Sequence, residues 1–175
     1  FISGGARGLG AEMARLLHGE GANVMVTEIL EDEGHALAND HENMTFMAHD
    51  VLQEDQWIAT IGATKEAYGG LDVLVNNAGI AHNATTIEET SYEQWRKVVG
   101  IDLDAVFLGC KHGVGLMKES SAGSIINISS IYGIVGSAGQ APYHAAKGGV
   151  RLLTKALAVE LAQLGYGIRV NSVHP

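Results

Sequence analysis

Short apolar runs alternate along this chain with longer segments in which apolar residues recur at helical spacing. Runs of the first kind predict buried strands, and segments of the second kind predict helices. Strands are predicted at residues 1–3, 23–27, 44–48, 72–75, 123–129 and 167–173, and helices at 55–68, 93–117 and 143–164. Gly21, Gly69 and Gly165 stand where helices should end. The alternation predicts an α/β fold with one doubly wound parallel sheet.

Composition agrees with a single domain. The chain has 175 residues, of which 46% are hydrophobic, and a mean hydropathy of +0.10, so one core can be built. A formal net charge of -9 opposes binding to nucleic acid phosphates. No apolar run approaches the roughly 20 residues of a membrane span, and no secretion signal begins the chain, so we expect no membrane partner.

The single cysteine, Cys110, excludes an internal disulfide and suits a reducing compartment, so we expect a cytoplasmic protein. Cys110 itself is expected to be a small buried apolar residue rather than a catalytic thiol. The eight histidines form no His-X-X-X-His pair and have no cysteine at metal-ligand spacing. We therefore expect no catalytic metal.

A glycine-rich turn lies between the first predicted strand and a helical segment that opens at Ala11. Its pattern is Gly-X-X-X-Gly-X-Gly, formed by Gly4, Gly8 and Gly10, and differs from the usual Gly-X-Gly-X-X-Gly. Glycines let the backbone turn tightly and approach a pyrophosphate, and the amino end of the following helix attracts the anion. The turn therefore predicts a dinucleotide site.

Tyr143 and Lys147 lie four residues apart, about one helical turn, so their side chains share a helix face. At about 4 Å and an effective dielectric near 20, the lysine charge would favour the phenolate by roughly 4 kcal/mol. We therefore expect a lowered pKa for Tyr143, which suits a general base or acid near neutral pH. Ser130, thirteen positions upstream, follows the apolar run 124–129, at the strand end where ligands bind in open α/β sheets. An ordinary exposed helix face is the alternative for the tyrosine and lysine taken alone.

Two further segments add to this pattern. Asn76-Asn77-Ala78-Gly79 follows an apolar strand, and Arg169-Val170-Asn171-Ser172-Val173-His174-Pro175 ends the chain. With the glycine turn and the set of Ser130, Tyr143 and Lys147, they resemble the short-chain dehydrogenase/reductase family over nearly the whole chain. The segments are most similar to bacterial NAD-dependent hydroxysteroid and secondary-alcohol dehydrogenases. The resemblance implies a Rossmann-like single domain that transfers a hydride between NAD and a secondary alcohol or ketone.

The resemblance also implies the catalytic roles. Tyr143 would be the base in oxidation or the acid in reduction, and Lys147 would lower its pKa and hold the nicotinamide ribose. Ser130 would hydrogen-bond the substrate oxygen as charge develops; Ser129 is the adjacent candidate, but the family spacing selects Ser130. The positive nicotinamide of the oxidised cofactor is expected to lower the pKa of Tyr143 further.

Cofactor choice depends on Glu28, which follows the second predicted strand, 18 residues beyond Gly10. An acidic side chain there accepts hydrogen bonds from the adenosine ribose and repels a 2′-phosphate, so NAD is favoured over NADP. Glu28 could instead be a solvated or helix-capping carboxylate, and Arg7 favours a 2′-phosphate. The resemblance implies further cofactor contacts from Leu9, Asp50, Val51, Asn77, Ala78, Gly79, Ile101 and Pro175, besides Tyr143 and Lys147.

Asp102 departs from the family pattern, because relatives usually carry an asparagine there that supports a water relay behind the lysine. If the backbone carbonyl holds the water, aspartate preserves the relay, but its charge would alter the pKa values near Lys147. A helix-bend residue without catalytic consequence is the alternative.

Substrate contacts are expected from Ser130 and Tyr143, and by resemblance from Tyr132 and Gln140. Loop packing is the alternative for the last two. His82 and Asn83 could reach the mouth of the site or face solvent.

The predicted helices 93–117 and 143–164 carry apolar or small residues on more than one face. A helix beside a sheet buries one face on it, and further apolar surface needs another partner. The resemblance implies that these helices pair between subunits in homodimers or homotetramers. A thick internal core is the alternative.

Both ends lead us to expect part of a longer protein. The first strand has about three residues before its turn, and the chain stops at Pro175, where relatives continue into a substrate-covering loop. Two other functions stay open. One is a dinucleotide-binding regulatory or scaffold protein without turnover, which Asp102 and the missing ends would favour. The other is an NADP-dependent carbonyl reductase that uses the same catalytic residues.

Overall fold

The computed structural model describes residues 1–120 and 122–175. Within these residues the strands are β1 Ile2–Ser3, β2 Val24–Glu28, β3 Met44–Ala48, β4 Val73–Asn76, β5 Gly123–Ile128 and β6 Ile168–Val173. The helices are α1 Gly8–Gly19, α2 Glu31–Asn39, α3 Glu54–Tyr68, α4 Tyr92–Val99, α5 Ala105–Met117 and α6 Ala141–Gln163. A π-helical segment, Gly100–Asp104, joins α4 to α5, and a 3-10 turn, Ile131–Gly133, follows β5.

The strands form one sheet in the order β3-β2-β1-β4-β5-β6, and every neighbouring pair is parallel. The predicted α/β fold with a parallel sheet is confirmed. The chain order reverses beside β1, which pairs with β2 on one side and with β4 on the other. In such sheets the ligand crevice lies outside the carboxyl ends of the strands at this reversal.

The main differences from the predicted elements concern two helical regions. Helix α2 was not predicted, because its first turn is acidic and only Gly34 and Leu37 are buried along it. The predicted helix 93–117 consists of α4, the π segment and α5, so a wide turn interrupts it. Gly69 ends α3 in the left-handed conformation with φ 79°, as its position in the sequence predicted.

Apolar clusters cover both faces of the sheet. On one face α1 and α2 bury residues such as Ala14 and Leu37 against Val26. On the other face α3, α5 and α6 pack around a cluster that includes Trp57 and Leu74. Burying a side chain of leucine size contributes about 1.5–3 kcal/mol, so these two layers hold the sheet between them.

A buried chain of polar side chains fixes α6 against the sheet. The amide of Asn76 on β4 donates to Asn127 Oδ1 on β5 at 2.8 Å. The amide of Asn127 donates to the hydroxyl of Thr154 on α6 at 2.9 Å. A buried hydrogen-bonding group without a partner is costly. These two hydrogen bonds therefore set the position of the helix that carries Tyr143 and Lys147.

Cys110 is buried at 3% exposure, and burial raises the pKa of its thiol to about 12. The thiol is therefore protonated at neutral pH, which agrees with the prediction of a small buried residue. In the part of the chain that the structure describes, no helix has both the length and the apolar character that crossing a membrane requires.

Candidate active site

A continuous cleft lies at the carboxyl ends of β1 and β4. One part is a cavity of about 330 Å³ beside the glycine turn, and the next is a cavity of about 320 Å³ beside α6. The two share Leu9, Asn77, Gly79 and Ile80 as wall residues. The cleft therefore extends from the glycine turn to Tyr143 and Lys147.

The first cavity brings together most of the predicted cofactor residues. Its walls include Gly4, Arg7, Gly8, Leu9, Gly10, Glu28, Asp50, Val51, Asn77, Ala78, Gly79 and Ile101. The remaining three, Tyr143, Lys147 and Pro175, lie on the walls of the second cavity. Residues that are distant in sequence thus surround one elongated space.

The glycine turn has the backbone that its sequence predicted. Gly4 and Gly8 have φ angles of 64° and 55°, in the left-handed region that favours glycine. A Cβ at Gly4 would approach Ala78 Cα at 2.7 Å, and one at Gly10 would overlap the carbonyl oxygen of Gly4. At Gly8, where α1 begins, a Cβ would meet no atom within 4 Å, so the backbone is open to an approaching group.

Ser3 and Asn77 hold this turn against β4. The Asn77 amide donates to the carbonyl oxygens of Ser3 and Gly4 at 3.1 and 2.7 Å. The hydroxyl of Ser3 accepts from the backbone N–H groups of Asn77 and Ala78 at 3.1 and 3.3 Å. A helix amino end behind a rigid glycine turn suits a pyrophosphate, so the residues present fit a dinucleotide.

Glu28, at the end of β2, and Arg7, just before α1, both lie on the wall of the first cavity. The Glu28 carboxylate accepts a hydrogen bond from the backbone N–H of Ile29 at 2.9 Å. Asp50 lies on the same wall, where its carboxylate accepts from the backbone N–H of Leu52 at 3.0 Å. These local bonds hold both carboxylates at the cavity wall.

His49 also lines this cavity, although the sequence did not indicate it. Its Nδ1 lies 3.0 Å from the hydroxyl of Thr27, and the ring packs edge-on to Trp57. Burial lowers the pKa of His49, and the nearby charge of Asp50 raises it by less, so the pKa is about 4. The signal that could have identified His49 is its position directly before Asp50, at the end of a strand.

Ser130, Tyr143 and Lys147 line the second cavity together. Lys147 is only 3% exposed, and its Nζ donates to the backbone oxygen of Ile128 at 3.0 Å. The same Nζ lies 5.5 Å from the ring centroid of Tyr143. Ser130 is 8% exposed and follows β5, as predicted. Two chain segments therefore bring a hydroxyl, a phenol and an ammonium to one space.

The expected lowering of the Tyr143 pKa is wrong for the protein alone. Burial raises the pKa of Tyr143, the Ser130 hydroxyl lowers it, and the charge of Asp102 raises it again. The expected lowering rested on the charge of Lys147 and left out the desolvation of the phenol, whereas Asp102 was expected to alter the pKa values near the lysine and does raise that of Tyr143. Burial also lowers the pKa of Lys147, although Asp102 opposes this.

Asp102 is fully buried in the π segment. Its Oδ1 accepts from the backbone N–H of Ile80 at 2.8 Å and lies 3.8 Å from Lys147 Nζ. Burial raises the pKa of Asp102 to about 6, while Lys147, the hydrogen bond from Ile80 and His82 lower it. A Cβ at Gly79 would approach Asp102 Oδ1 at 2.7 Å, so glycine lets the cleft wall lie against this carboxylate.

The predicted substrate residues Tyr132 and Gln140 are not on the walls of either cavity. The Tyr132 ring stacks on His144 at 4.7 Å and lies edge-on to Tyr143 at 6.2 Å. The Gln140 amide donates to the backbone oxygen of His82 at 3.1 Å. This contact of Gln140 is one of loop packing, which the sequence left open as the alternative.

Sequence comparison identifies relatives along the entire chain. The family model described as short chain dehydrogenase matches residues 1–175. The chain is 47% identical to trans-4-hydroxycyclohexanecarboxylate dehydrogenase of Sinomonas cyclohexanicum, covering 100% of this chain and 70% of that protein. It is 47% identical to 3-alpha-(or 20-beta)-hydroxysteroid dehydrogenase of Mycobacterium tuberculosis strain H37Rv, covering 100% and 66%. It is also 39% identical to NADP-dependent (R)-specific alcohol dehydrogenase of Lentilactobacillus kefiri, covering 100% and 71%.

The chain thus spans about two thirds of the length of these relatives. Within residues 1–120 and 122–175, no group of three or more His, Cys, Asp or Glu side chains is arranged to hold a metal ion. The second cavity offers a phenol, an ammonium and hydroxyls, with the carboxylate of Asp102 beside the ammonium.

Proposed function

We propose, since this chain belongs to the short-chain dehydrogenase/reductase family, that it transfers a hydride between NAD and a secondary alcohol or the matching ketone. The observation that carries the proposal is that Ser130, Tyr143 and Lys147 line a cavity continuous with the one at the glycine turn. Hydride transfer needs a proton acceptor, an anchor for the oxygen and a cofactor beside both. The cleft supplies the first two and a site of suitable form for the third.

NAD, when bound, would supply the hydride acceptor in oxidation and the hydride donor as NADH. Tyr143 Oη would take the hydroxyl proton of the alcohol, and Ser130 Oγ would hydrogen-bond the same oxygen. Lys147, held by the carbonyl of Ile128, would keep a positive charge beside the phenol. Gly4, Gly8 and Gly10 would receive the pyrophosphate.

We further propose NAD rather than NADP as the cofactor. The carboxylate of Glu28 lies at the cavity wall, where it would accept hydrogen bonds from ribose hydroxyls and repel a 2′-phosphate. Arg7 lies on the same wall and favours the phosphate. One relative at 39% identity is named for NADP, so Glu28 is the residue whose exchange tests the preference.

A cyclic secondary alcohol is the substrate class that the relatives' names support, with hydroxysteroids included. Tyr132, which lies edge-on to Tyr143, and Gln140 remain proposed substrate contacts. The proposed location is the cytoplasm.

We also propose a homodimer or homotetramer formed through α5 and α6. Phe107 on α5 and Leu152 and Val159 on α6 are 50%, 66% and 59% exposed. Exposed apolar residues of this kind favour contact with another subunit. Light scattering of the purified protein would measure its mass, and a monomer would contradict this proposal.

The experiment that tests the function is turnover of the full-length protein with NAD or NADP and a panel of cyclic secondary alcohols. Absorbance of the reduced nicotinamide would follow turnover, with a Tyr143→Phe variant as control. Turnover that is lost in the variant, while cofactor binding persists, supports the proposed chemistry. Binding without turnover would favour the regulatory protein, and the absence of binding would contradict both functions.

A further inference from the structure

We propose that His144 is a positioning residue that makes the site select cyclic alcohols, because it holds the ring of Tyr132 beside the phenol of Tyr143. This inference rests on the proposed function and deepens it, since it assigns a determinant of substrate choice. His144 lies on the walls of neither cavity of the cleft. It would therefore act through Tyr132, without touching the cofactor or the reacting carbon.

The first support is the position of the Tyr132 ring between two other rings. It stacks on the imidazole of His144, with 4.7 Å between the ring centroids and 13° between the planes. Its second contact is edge-on to Tyr143, whose ring centroid lies 6.2 Å away. Stacked and edge-on arrangements are preferred by aromatic pairs, so the two contacts together favour one orientation of the Tyr132 ring. Tyr132 is still 37% exposed, which leaves part of its ring accessible to a substrate.

The second support is that both ring nitrogens of His144 have partners, which fix the plane of the imidazole. The backbone N–H of Ser137 donates to Nε2 at 2.9 Å. Nδ1 lies 2.7 Å from the carbonyl oxygen of Gln140, which can only accept, so Nδ1 carries the proton. A ring that was turned over would place carbon atoms at both partners. The imidazole is therefore a rigid support for the Tyr132 ring.

The third support is that the segment 137–140, which His144 anchors, meets the segment that follows β4. The backbone N–H of Thr85 donates to the carbonyl oxygen of Gly139 at 3.1 Å. A Cβ at Gly139 would approach the Cβ of Ala84 at 2.9 Å, so the two segments are closely packed. His144 thus ties the first turn of α6 to a packed pair of segments, which resists displacement of the imidazole.

The backbone of Tyr132 is held separately from its ring. Its N–H donates to Ser130 Oγ at 3.2 Å, and the N–H of Gly133 donates to the carbonyl oxygen of Ser130 at 2.9 Å. A Cβ at Gly133 would lie 2.6 Å from the carbonyl oxygen of Lys147, so this turn packs directly on α6. Loss of the imidazole should therefore release the Tyr132 ring without moving Ser130. The expected effect is on the binding of a substrate's ring and not on proton transfer.

The test compares full-length wild type with His144→Ala in steady-state kinetics. For the cyclic alcohol that the panel above identifies, KM of the variant should rise at least about tenfold, because the Tyr132 ring no longer supports the substrate's ring. The kcat for that alcohol, KM for NAD and KM for propan-2-ol, which has no ring, should stay within about twofold of wild type. His35→Ala, which removes an exposed histidine of α2, is the matched control and should behave as wild type.

An unchanged KM for the cyclic alcohol would overturn the inference. An equal rise for both alcohols would do the same, because a general loss of structure does not distinguish them. Tyr132→Ala gives a second check: it should raise the same KM, and adding His144→Ala should raise it no further, since His144 acts through Tyr132. Additive rises would mean that the two residues act separately, which contradicts the proposed role.

Amide hydrogen exchange separates this inference from the proposed function, because it needs neither cofactor nor turnover. His144→Phe keeps a ring of similar size but removes the acceptor of the Ser137 N–H. Exchange of that N–H should become at least about tenfold faster than in wild type. Unchanged exchange would overturn the inference even where turnover is established, whereas faster exchange without turnover of any alcohol would contradict only the function.

Discussion

The hydroxyl of Ser129 donates a hydrogen bond to the main-chain oxygen of Lys147 at 2.8 Å. Ser129 follows β5 and directly precedes Ser130. Its bond therefore joins the end of β5 to α6. Both serines line the second cavity, but the Ser130 hydroxyl accepts from the backbone N–H of Tyr132 at 3.2 Å, whereas that of Ser129 holds the helix.

Ser130→Ala and Ser129→Ala should therefore have different effects. We expect Ser130→Ala to lower kcat at least about 100-fold with little change in stability, since it removes the proposed oxygen anchor. Ser129→Ala should lower the free energy of unfolding by about 1 kcal/mol, because a buried hydrogen bond is lost. Urea unfolding and steady-state kinetics of both variants would measure this. Equal kinetic losses would contradict the division of roles.

Asp102→Asn should stabilise the protein at neutral pH. The folded carboxyl takes up its proton near pH 6 and the unfolded one near 3.8, so ionisation lowers stability progressively as the pH rises from 3.8 and in full above about 6. The gain should be about 1 to 3 kcal/mol at pH 7.5, a range that already includes the attraction to Lys147, and should vanish below pH 3.8. Urea unfolding at several pH values would show it. A less stable variant at pH 7.5 would mean that the ion pair outweighs desolvation.

His49→Gln should flatten the acid side of the stability curve. The unfolded imidazole takes up a proton near pH 6.5 and the folded one near 4, so stability falls as the pH is lowered between these values. The wild type should lose up to about 3 kcal/mol over this range through His49 alone. Chemical unfolding from pH 7 to pH 4 would compare the two slopes, with His41→Gln as a histidine control. Parallel curves would refute the assignment.

Glu28→Ser should shift cofactor preference toward NADP. Removing the carboxylate removes its repulsion of a 2′-phosphate and leaves Arg7 to attract that group. The ratio of kcat/KM for NAD to that for NADP should fall by at least about tenfold, and Arg7→Ala should raise the same ratio. An unchanged ratio in Glu28→Ser would remove Glu28 as the selector.

Two glycines of α5 should respond in opposite ways to alanine. A Cβ at Gly109 would overlap Asn76 Oδ1 and approach Trp57 at 2.8 Å, so Gly109→Ala should destabilise by about 1–3 kcal/mol. A Cβ at Gly115 would meet no atom within 4 Å, and Gly115→Ala should stabilise by about 0.5–1 kcal/mol. Thermal unfolding would rank the three proteins. A neutral Gly109→Ala would show that α5 can move away from β4.

Much of the fold could be predicted because parallel strands that are buried on both faces appear in the sequence as continuous apolar runs. The strand Met44–Ala48 has its predicted bounds, and β2 starts one residue later than predicted. Helix α2 could not be predicted, since its few buried positions give too little periodicity. The π segment could not be predicted either, because its apolar spacing continues that of the flanking helices.

The site could be predicted where a tight turn requires glycine or where helical spacing places two side chains on one face. Gly4, Gly8 and Gly10 and the pair Tyr143 and Lys147 converge on one cleft, as their spacing indicated. The direction of the Tyr143 pKa was not predictable, because desolvation depends on how deeply the phenol is buried. The position of His82 could not be decided from the sequence, since its contacts with Gln94 and Gln140 exist only after the chain folds.

The π segment Gly100–Asp104 determines which side chains of α5 face the sheet. Its hydrogen bonds join residues five apart rather than four, so in a continuous α-helix of the same sequence the side chains of α5 would point about 100° away from their present directions. Gly109 would no longer face Asn76, and Asp102 would leave its place beside Lys147. The wide turn is therefore what lets α5 pack on the sheet while Asp102 stays beside Lys147, and a change that made this segment a regular α-helix would disturb both contacts.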